Sequence, residues 1–150
     1  MENMFKDILK GKTVILGVGN TLRADDGAGC VLAQRLKGKT RALCIDAGSS
    51  PENFTGTIRK VDPDTILVVD AADLGKEPGA FALLEKDEIM TVGFTTHDLS
   101  PAMLMEYLKA QTKASIYLLG IQPASVEFGE GLSERVEETL EKVEGLISHA

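Results

Sequence analysis

Residues 13–29 read TVILGVGNTLRADDGAG, and this stretch decides the fold. Its first six residues, TVILGV, form a short and continuous apolar run, which is typical of a strand buried on both faces. A polar loop follows at residues 19–24, and Asp25 or Asp26 can cap a helix that ends before Gly38. A buried strand, a loop and a helix in this order form the opening unit of an α/β sheet.

The same alternation of apolar runs and amphipathic stretches continues along the chain. Ser100 and Ser133 can each cap a helix, and the second helix has one apolar stripe. A more polar run at residues 57–61 indicates a strand at a sheet edge, which could make the sheet mixed. The other strands are predicted at residues 41–45, 65–69, 80–84 and 115–121. We therefore predict one three-layer α/β/α domain over residues 1–150, with a twisted and mostly parallel sheet.

The composition excludes several classes of protein. The 150 residues are 43% hydrophobic and 26% charged, which is ordinary for one folded domain. A net charge of −7 argues against nucleic acid and against an anionic membrane surface as partners. No apolar run approaches the length of a membrane span, and the N-terminus has no signal-peptide core. We expect a cytoplasmic protein, and nothing in the sequence demands more than a monomer.

Acidic and imidazole side chains follow the predicted strands directly. Asp26, Asp46, Asp70 and His97 would all face one rim of the domain if the strands are parallel. Two carboxylates and an imidazole can bind a divalent metal, and imidazole suits nickel among others. The alternative is structural, because Asp at such positions commonly caps helices or forms turns, and a loop His is commonly a hydrogen-bonded turn residue.

A glycine-rich turn after the first strand raises a second possibility. Gly17 and Gly19 match the start of the dinucleotide-binding pattern G-x-G-x-x-G. The third glycine of that pattern would fall at Leu22, and no Walker A sequence occurs in the chain. A nucleotide- or small-ligand-binding module without catalysis is therefore the alternative function.

Six blocks of the sequence form a recognisable series: GVGN at 17–20, RADDGAG at 23–29, DAGSSPEN at 46–53, VVDAAD at 68–73, TTH at 95–97 and LGIQP at 119–123. Taken together and in order, they resemble the [NiFe]-hydrogenase maturation proteases, specifically the branch that processes hydrogenase-3-type large subunits. The similarity runs over residues 13–123. One branch of this family carries Glu where Asp26 stands here.

The resemblance implies a site and a substrate. It implies that Asp26, Asp70 and His97 bind metal and carry catalysis, and that Asp46 either supports them or orders its loop. The implied activity is a nickel-dependent, aspartic-type endopeptidase that removes the C-terminal extension of a nickel-loaded hydrogenase large-subunit precursor. Nickel would arrive with the precursor, and we expect the isolated protein to bind metal weakly or not at all, because it offers only three protein ligands. Nickel would either activate the attack, with a carboxylate as base, or serve recognition alone. A related-fold protease with another substrate is a further alternative.

Overall fold

A central strand, β3 (Thr65–Asp73), organises the molecule in this computed structural model, which describes residues 3–89, 93–94 and 100–150. Its first eight residues are buried, because neighbouring strands pair with it on both sides and helices cover both of its faces. The other strands are β1 (Thr13–Gly17), β2 (Leu43–Asp46), β4 (Phe81–Leu84), β5 (Gly93–Phe94) and β6 (Ser115–Ile121).

The sheet is mixed and mostly parallel, as predicted. The strand order is β2-β1-β3-β6-β4, and the first four strands in this order run parallel to one another. β4 runs antiparallel to β6, and the short β5 runs antiparallel to the end of β3. The carboxyl ends of β1, β2, β3 and β6 therefore meet at one edge of the sheet, which is where ligands bind in such folds.

Two hydrophobic clusters cover the two faces of the sheet. Val14 and Leu16 of β1 point into one cluster, while Ile15 points into the other, as the alternation of side chains along a strand requires. The first cluster takes in α3 (Thr55–Val61), α4 (Lys86–Ile89) and α5 (Pro101–Gln111). The second takes in α1 (Met4–Ile8), α2 (Ala28–Leu36) and α6 (Glu134–Ser148).

The predicted strand at residues 57–61 is wrong, because this segment forms α3. A 3-10 turn at Pro51–Phe54 leads into the helix, with Pro51 in its first turn. Phe54, Ile58 and Val61 recur at helical spacing and pack into the first cluster, with Ile58 fully buried. Tertiary packing thus overrides the strand preference of the β-branched residues. The sheet is mixed because β4 and β5 are antiparallel.

Helix starts were predicted correctly at two serines and wrongly at the paired aspartates. The side chain of Ser100 accepts a hydrogen bond from the Met103 amide and begins α5, and Ser133 begins α6 in the same way. Asp25 and Asp26 instead lie inside a 3-10 turn at Ala24–Gly27, which leads into α2, and neither the turn nor α2 has a side-chain cap. No helix among the described residues is long and apolar enough to cross a membrane.

Candidate active site

The loop after β1 is held in a compact form by close backbone contacts. Gly19 has a φ of 145°, and a Cβ atom built there would lie 1.9 Å from the Asp26 carbonyl oxygen. A Cβ on Gly29 would lie 2.1 Å from the carbonyl oxygen of Val69. These glycines let the loop fold back on itself and let the start of α2 rest on β3. The space beside them is filled by the protein's own backbone, which argues against the dinucleotide-binding alternative.

This folded loop buries the carboxylate of Asp26. Its side chain is 1% exposed, and its Oδ2 accepts a hydrogen bond of 3.1 Å from the Asn20 amide. The Asn20 side chain in turn accepts a hydrogen bond of 2.9 Å from the Leu22 amide. The loop between β1 and α2 therefore fixes the position of the Asp26 carboxylate.

Asp70 lies inside β3 and not after it, because the strand continues past the predicted end at residue 69. It pairs with Gly120 of β6 on one side, while on the other side β1 has already ended opposite Val69. The side chain is 1% exposed. Burial raises the pKa of Asp70 well above its ordinary value, and the negative charge of Asp26 raises it further. The structure thus brings Asp26 and Asp70 together at the carboxyl edge of the sheet.

Asp46 ends β2 and belongs to a neighbouring hydrogen-bonded group. It accepts hydrogen bonds of 2.6 Å from the Gln34 side chain and 3.1 Å from the Gly48 amide. Burial alone would raise the pKa of Asp46, but hydrogen bonds from Gln34, the Cys30 thiol and the Gly48 amide outweigh burial and lower it. Asp46 therefore ties its own loop to α2.

The two cysteines are buried and unsuited to attack a peptide bond. Cys30 is 1% exposed, and its Sγ lies 3.5 Å from the carbonyl oxygen of Gly19. Burial raises the pKa of the Cys30 thiol, and the hydrogen bond and negative charge of Asp46 raise it further. Burial also raises the pKa of the Cys44 thiol. Since the thiolate is the nucleophilic form, these neutral thiols are packing residues, as predicted.

Asp25 has a role that the sequence did not reveal. Its carboxylate, 1% exposed, accepts hydrogen bonds from the amides of Ala124, Ser125 and Ser133 and from the Ser133 hydroxyl. These partners follow β6 and begin α6, so Asp25 fastens a distant loop to the loop that carries Asp26. Ala24, just before it, has the strained φ of 49°.

Gln122, the polar residue of the LGIQP block, stabilises the carboxyl end of β3. Its side-chain oxygen accepts a hydrogen bond from the Leu74 amide, and its side-chain amide donates one of 3.4 Å to Asp73. Both partners lie at the end of β3 or just after it. Sequence reasoning identified this residue only as part of a motif.

His97, the third predicted site residue, lies outside the described residues. The described chain that precedes it in the sequence ends with β5, in which Phe94 pairs with Ala72 of β3, two positions after Asp70. Within the described ranges, no group of three or more His, Cys, Asp or Glu side chains could hold a metal ion. Asp26 and Asp70 offer hard carboxylate ligands, so a metal there would need at least one further ligand.

Two sizeable surface clefts lie away from these carboxylates. One, of about 740 Å³, is lined by residues around the start of β1, including Thr13 and Ala42. The other, of about 920 Å³, is lined by residues around the start of β6, including Ser115 and Tyr117. Because neither cleft contains Asp26 or Asp70, we assign the site by its chemistry and not by cavity size.

The fold and the site together define a class of α/β/α proteins that carry two buried carboxylates where the parallel strands end. The model of the hydrogenase maturation protease family, HycI, matches residues 30–150. The chain belongs to this family, and membership makes it a peptidase concerned with hydrogenase maturation.

Individual relatives agree with this assignment. A putative hydrogenase maturation protease of Methanocaldococcus jannaschii is 34% identical over 140 residues, covering 85% of this chain and 83% of the relative. The hydrogenase 3 maturation protease of Escherichia coli K12 is 36% identical over 133 residues, covering 87% of this chain and 85% of the relative. The crystal structure of the [NiFe] hydrogenase maturation protease HycI from Thermococcus kodakarensis matches with a TM-score of 0.86 at 33% identity. The match covers 97% of this chain and 96% of that structure's chain.

Proposed function

We propose that this chain is an endopeptidase that removes the C-terminal extension of a nickel-loaded [NiFe]-hydrogenase large-subunit precursor. The observation that carries the proposal is the buried Asp26–Asp70 pair at the carboxyl edge of the sheet, in a chain of the hydrogenase maturation protease family. Two acids held together out of water repel each other when both are ionised. A divalent cation presented by the substrate would relieve that repulsion.

The roles that we propose follow from the chemistry of the side chains. Asp26 and Asp70 would supply two oxygen ligands to the nickel of the precursor, and His97 would supply a nitrogen ligand. His97 lies three positions after Phe94 in the sequence, and such a length of chain spans at most about 10 Å. Since Phe94 pairs with β3 just after Asp70, that reach supports His97 as the third ligand.

Two ways of breaking the peptide bond fit these residues. In the first, nickel polarises the scissile carbonyl or binds the attacking water, and a carboxylate accepts the proton. The raised pKa of Asp70 favours it as this base, because it moves the carboxyl toward the pH at which the enzyme would work. In the second, nickel only positions the precursor, and the paired carboxylates activate water as in aspartic-type proteases.

The decisive experiment compares nickel-loaded and nickel-free precursor under the same conditions. We expect the purified chain to shorten only the nickel-loaded precursor, which a mobility shift on a gel would show. An Asp26→Asn variant, checked for folding by circular dichroism, is the matched control and should leave the loaded precursor intact. Equal cleavage of the nickel-free precursor would falsify gating by nickel. No cleavage of any loaded large subunit would overturn the proposed activity.

Three further properties remain predictions from the sequence. They are action in the cytoplasm, a monomeric state, and weak nickel binding by the isolated protein. The last is supported by the raised pKa of Asp70, which burial and the charge of Asp26 cause, because a proton then competes with the metal for that carboxyl. Nickel retained in stoichiometric amount through purification would contradict it.

A further inference from the structure

Two apolar side chains near the site are exposed. Phe128 is 85% exposed, more than any other large apolar side chain in the described part of the chain, and Leu22 is 48% exposed. Single exposed apolar residues are common and need no explanation. These two are different because they lie on neighbouring segments of backbone, beside a functional site.

The backbone that carries them is firmly held. The Gly129 amide donates to the Leu22 carbonyl oxygen at 2.8 Å, and the Gly129 carbonyl oxygen accepts from the Ala24 amide at 2.7 Å. The Arg23 side chain donates to the Val126 carbonyl oxygen at 3.1 Å. Together with the Asp25 carboxylate, these bonds hold the backbone around Leu22 beside the backbone around Phe128. We name this pair the Leu22–Phe128 platform.

The platform is connected to the site by a short chain of hydrogen bonds. The Leu22 amide donates to the Asn20 side chain at 2.9 Å, and the Asn20 amide donates to Asp26 Oδ2 at 3.1 Å. Leu22 therefore belongs to the loop that positions the Asp26 carboxylate. Because the backbone is already ordered, binding there costs little additional entropy.

The charge around Phe128 narrows the choice of occupant. Glu127 and Glu130 are exposed on either side of it, and the whole chain has a net charge of −7. An occupant with an apolar side chain and a neighbouring Lys or Arg would fit both the platform and its rim. Charges at a rim act mainly on association rate and on salt dependence.

We propose that the Leu22–Phe128 platform binds an apolar side chain in the C-terminal extension of the precursor, close to the scissile bond. A basic residue beside that side chain would pair with Glu127 or Glu130. This inference rests on the proposed function. The extension is the favoured occupant because it is covalently continuous with the bond at the site, and three extended residues span about 10 Å.

The test measures cleavage of nickel-loaded precursor by Phe128→Ala and Leu22→Ala. Each substitution should raise KM about tenfold, as the loss of a well-buried contact residue does. The kcat should change by less than about twofold, since the platform does not touch the reacting atoms. Phe128→Leu should recover most of the affinity. Leu43→Ala is the matched control, because Leu43 is 42% exposed on β2 at the other end of the sheet.

A competition assay identifies the part of the precursor that binds. A synthetic peptide with the sequence of the released extension should inhibit the wild type, and it should inhibit Phe128→Ala about tenfold less. Raised salt should weaken this inhibition less in the double variant Glu127→Gln and Glu130→Gln than in the wild type, because the variant lacks the charges that salt screens.

The possible failures are distinct from one another. If the wild type cleaves the precursor and Phe128→Ala leaves KM unchanged, the platform proposal is overturned while the proposed function stands. If the wild type cleaves no loaded precursor, both are overturned. A wild-type dimer that Phe128→Ala dissociates without changing KM would mean that the platform joins two copies of the chain.

Discussion

Asp70 lies buried close enough to Asp26 that burial and then the negative charge of Asp26 both raise its pKa, and each of the two residues is only 1% exposed. Two acids buried together cost the folded state free energy when both are ionised. This unfavourable relationship distinguishes a binding or catalytic site from a structural ion pair. It leads directly to a prediction about stability.

Asp70→Asn should make the folded protein more stable at neutral pH. Burial and the Asp26 charge raise the pKa of Asp70 in the folded state above its ordinary value of 3.8. The folded state therefore binds more protons than the unfolded state between these two pKa values, and its stability falls as pH rises through that window. The free energy of unfolding, measured in urea from pH 4 to pH 8, should show a gain for Asp70→Asn that shrinks on acidification.

Glu138→Gln provides the control for this measurement, because Glu138 is exposed on α6. Its free energy of unfolding should follow that of the wild type from pH 4 to pH 8, because it retains Asp70. Lower stability of Asp70→Asn than of the wild type at pH 7 would contradict the prediction.

Asp26, Asp70 and His97 should act as one unit in cleavage. Asp26→Asn, Asp70→Asn and His97→Ala should each lower the cleavage rate by about 100-fold or more, the size of effect expected of an acid–base or ligand group. Because the three would act on one metal, a double variant should be little slower than a single one. Rates of cleavage of nickel-loaded precursor test this. Full activity in His97→Ala, or losses that multiply in the double variants, would count against the shared site.

Asp25→Asn should lower the stability of the protein, whereas Asp26→Asn should lower its activity. Asp25→Asn places an amide against four donors from Ala124, Ser125 and Ser133, so we expect a loss of about 3 kcal/mol in unfolding free energy. Asp26→Asn should remove activity without such a loss, because it relieves repulsion with Asp70. Denaturant unfolding of both variants measures the contrast, and an Asp25→Asn variant as stable as the wild type would show that Asp25 does not hold the two loops together.

Gly29→Ala should destabilise the fold through a backbone clash. Its Cβ would lie 2.1 Å from the Val69 carbonyl oxygen, so α2 would have to move away from β3 at a cost of about 3 kcal/mol. Gly145→Ala is the matched control, since Gly145 lies in α6 with nothing within 4 Å of a built Cβ. It should stabilise the protein by about 1 kcal/mol through helix propensity. Thermal unfolding tests both variants, and a neutral Gly29→Ala would contradict the packing described here.

The sequence alone determined the elements whose causes are local. The apolar runs predicted β1 and β6 because strands buried on both faces contain few polar residues. Ser100 and Ser133 predicted the starts of α5 and α6, because a cap bonds to an amide three residues away. Asp26 and Asp70 were placed on one rim because parallel strands end at a common edge.

Only the tertiary structure decided features that depend on residues far apart in the chain. Residues 57–61 form a helix because Ile58 packs into a core built from other elements. β3 extends beyond Asp70 because β6 and β5 supply its hydrogen-bonding partners. Asp25 is bonded to residues about 100 positions away, and the exposure of Phe128 beside Leu22 follows from the same loop contact. No local pattern encodes such contacts, because they arise only once the sheet brings these loops together.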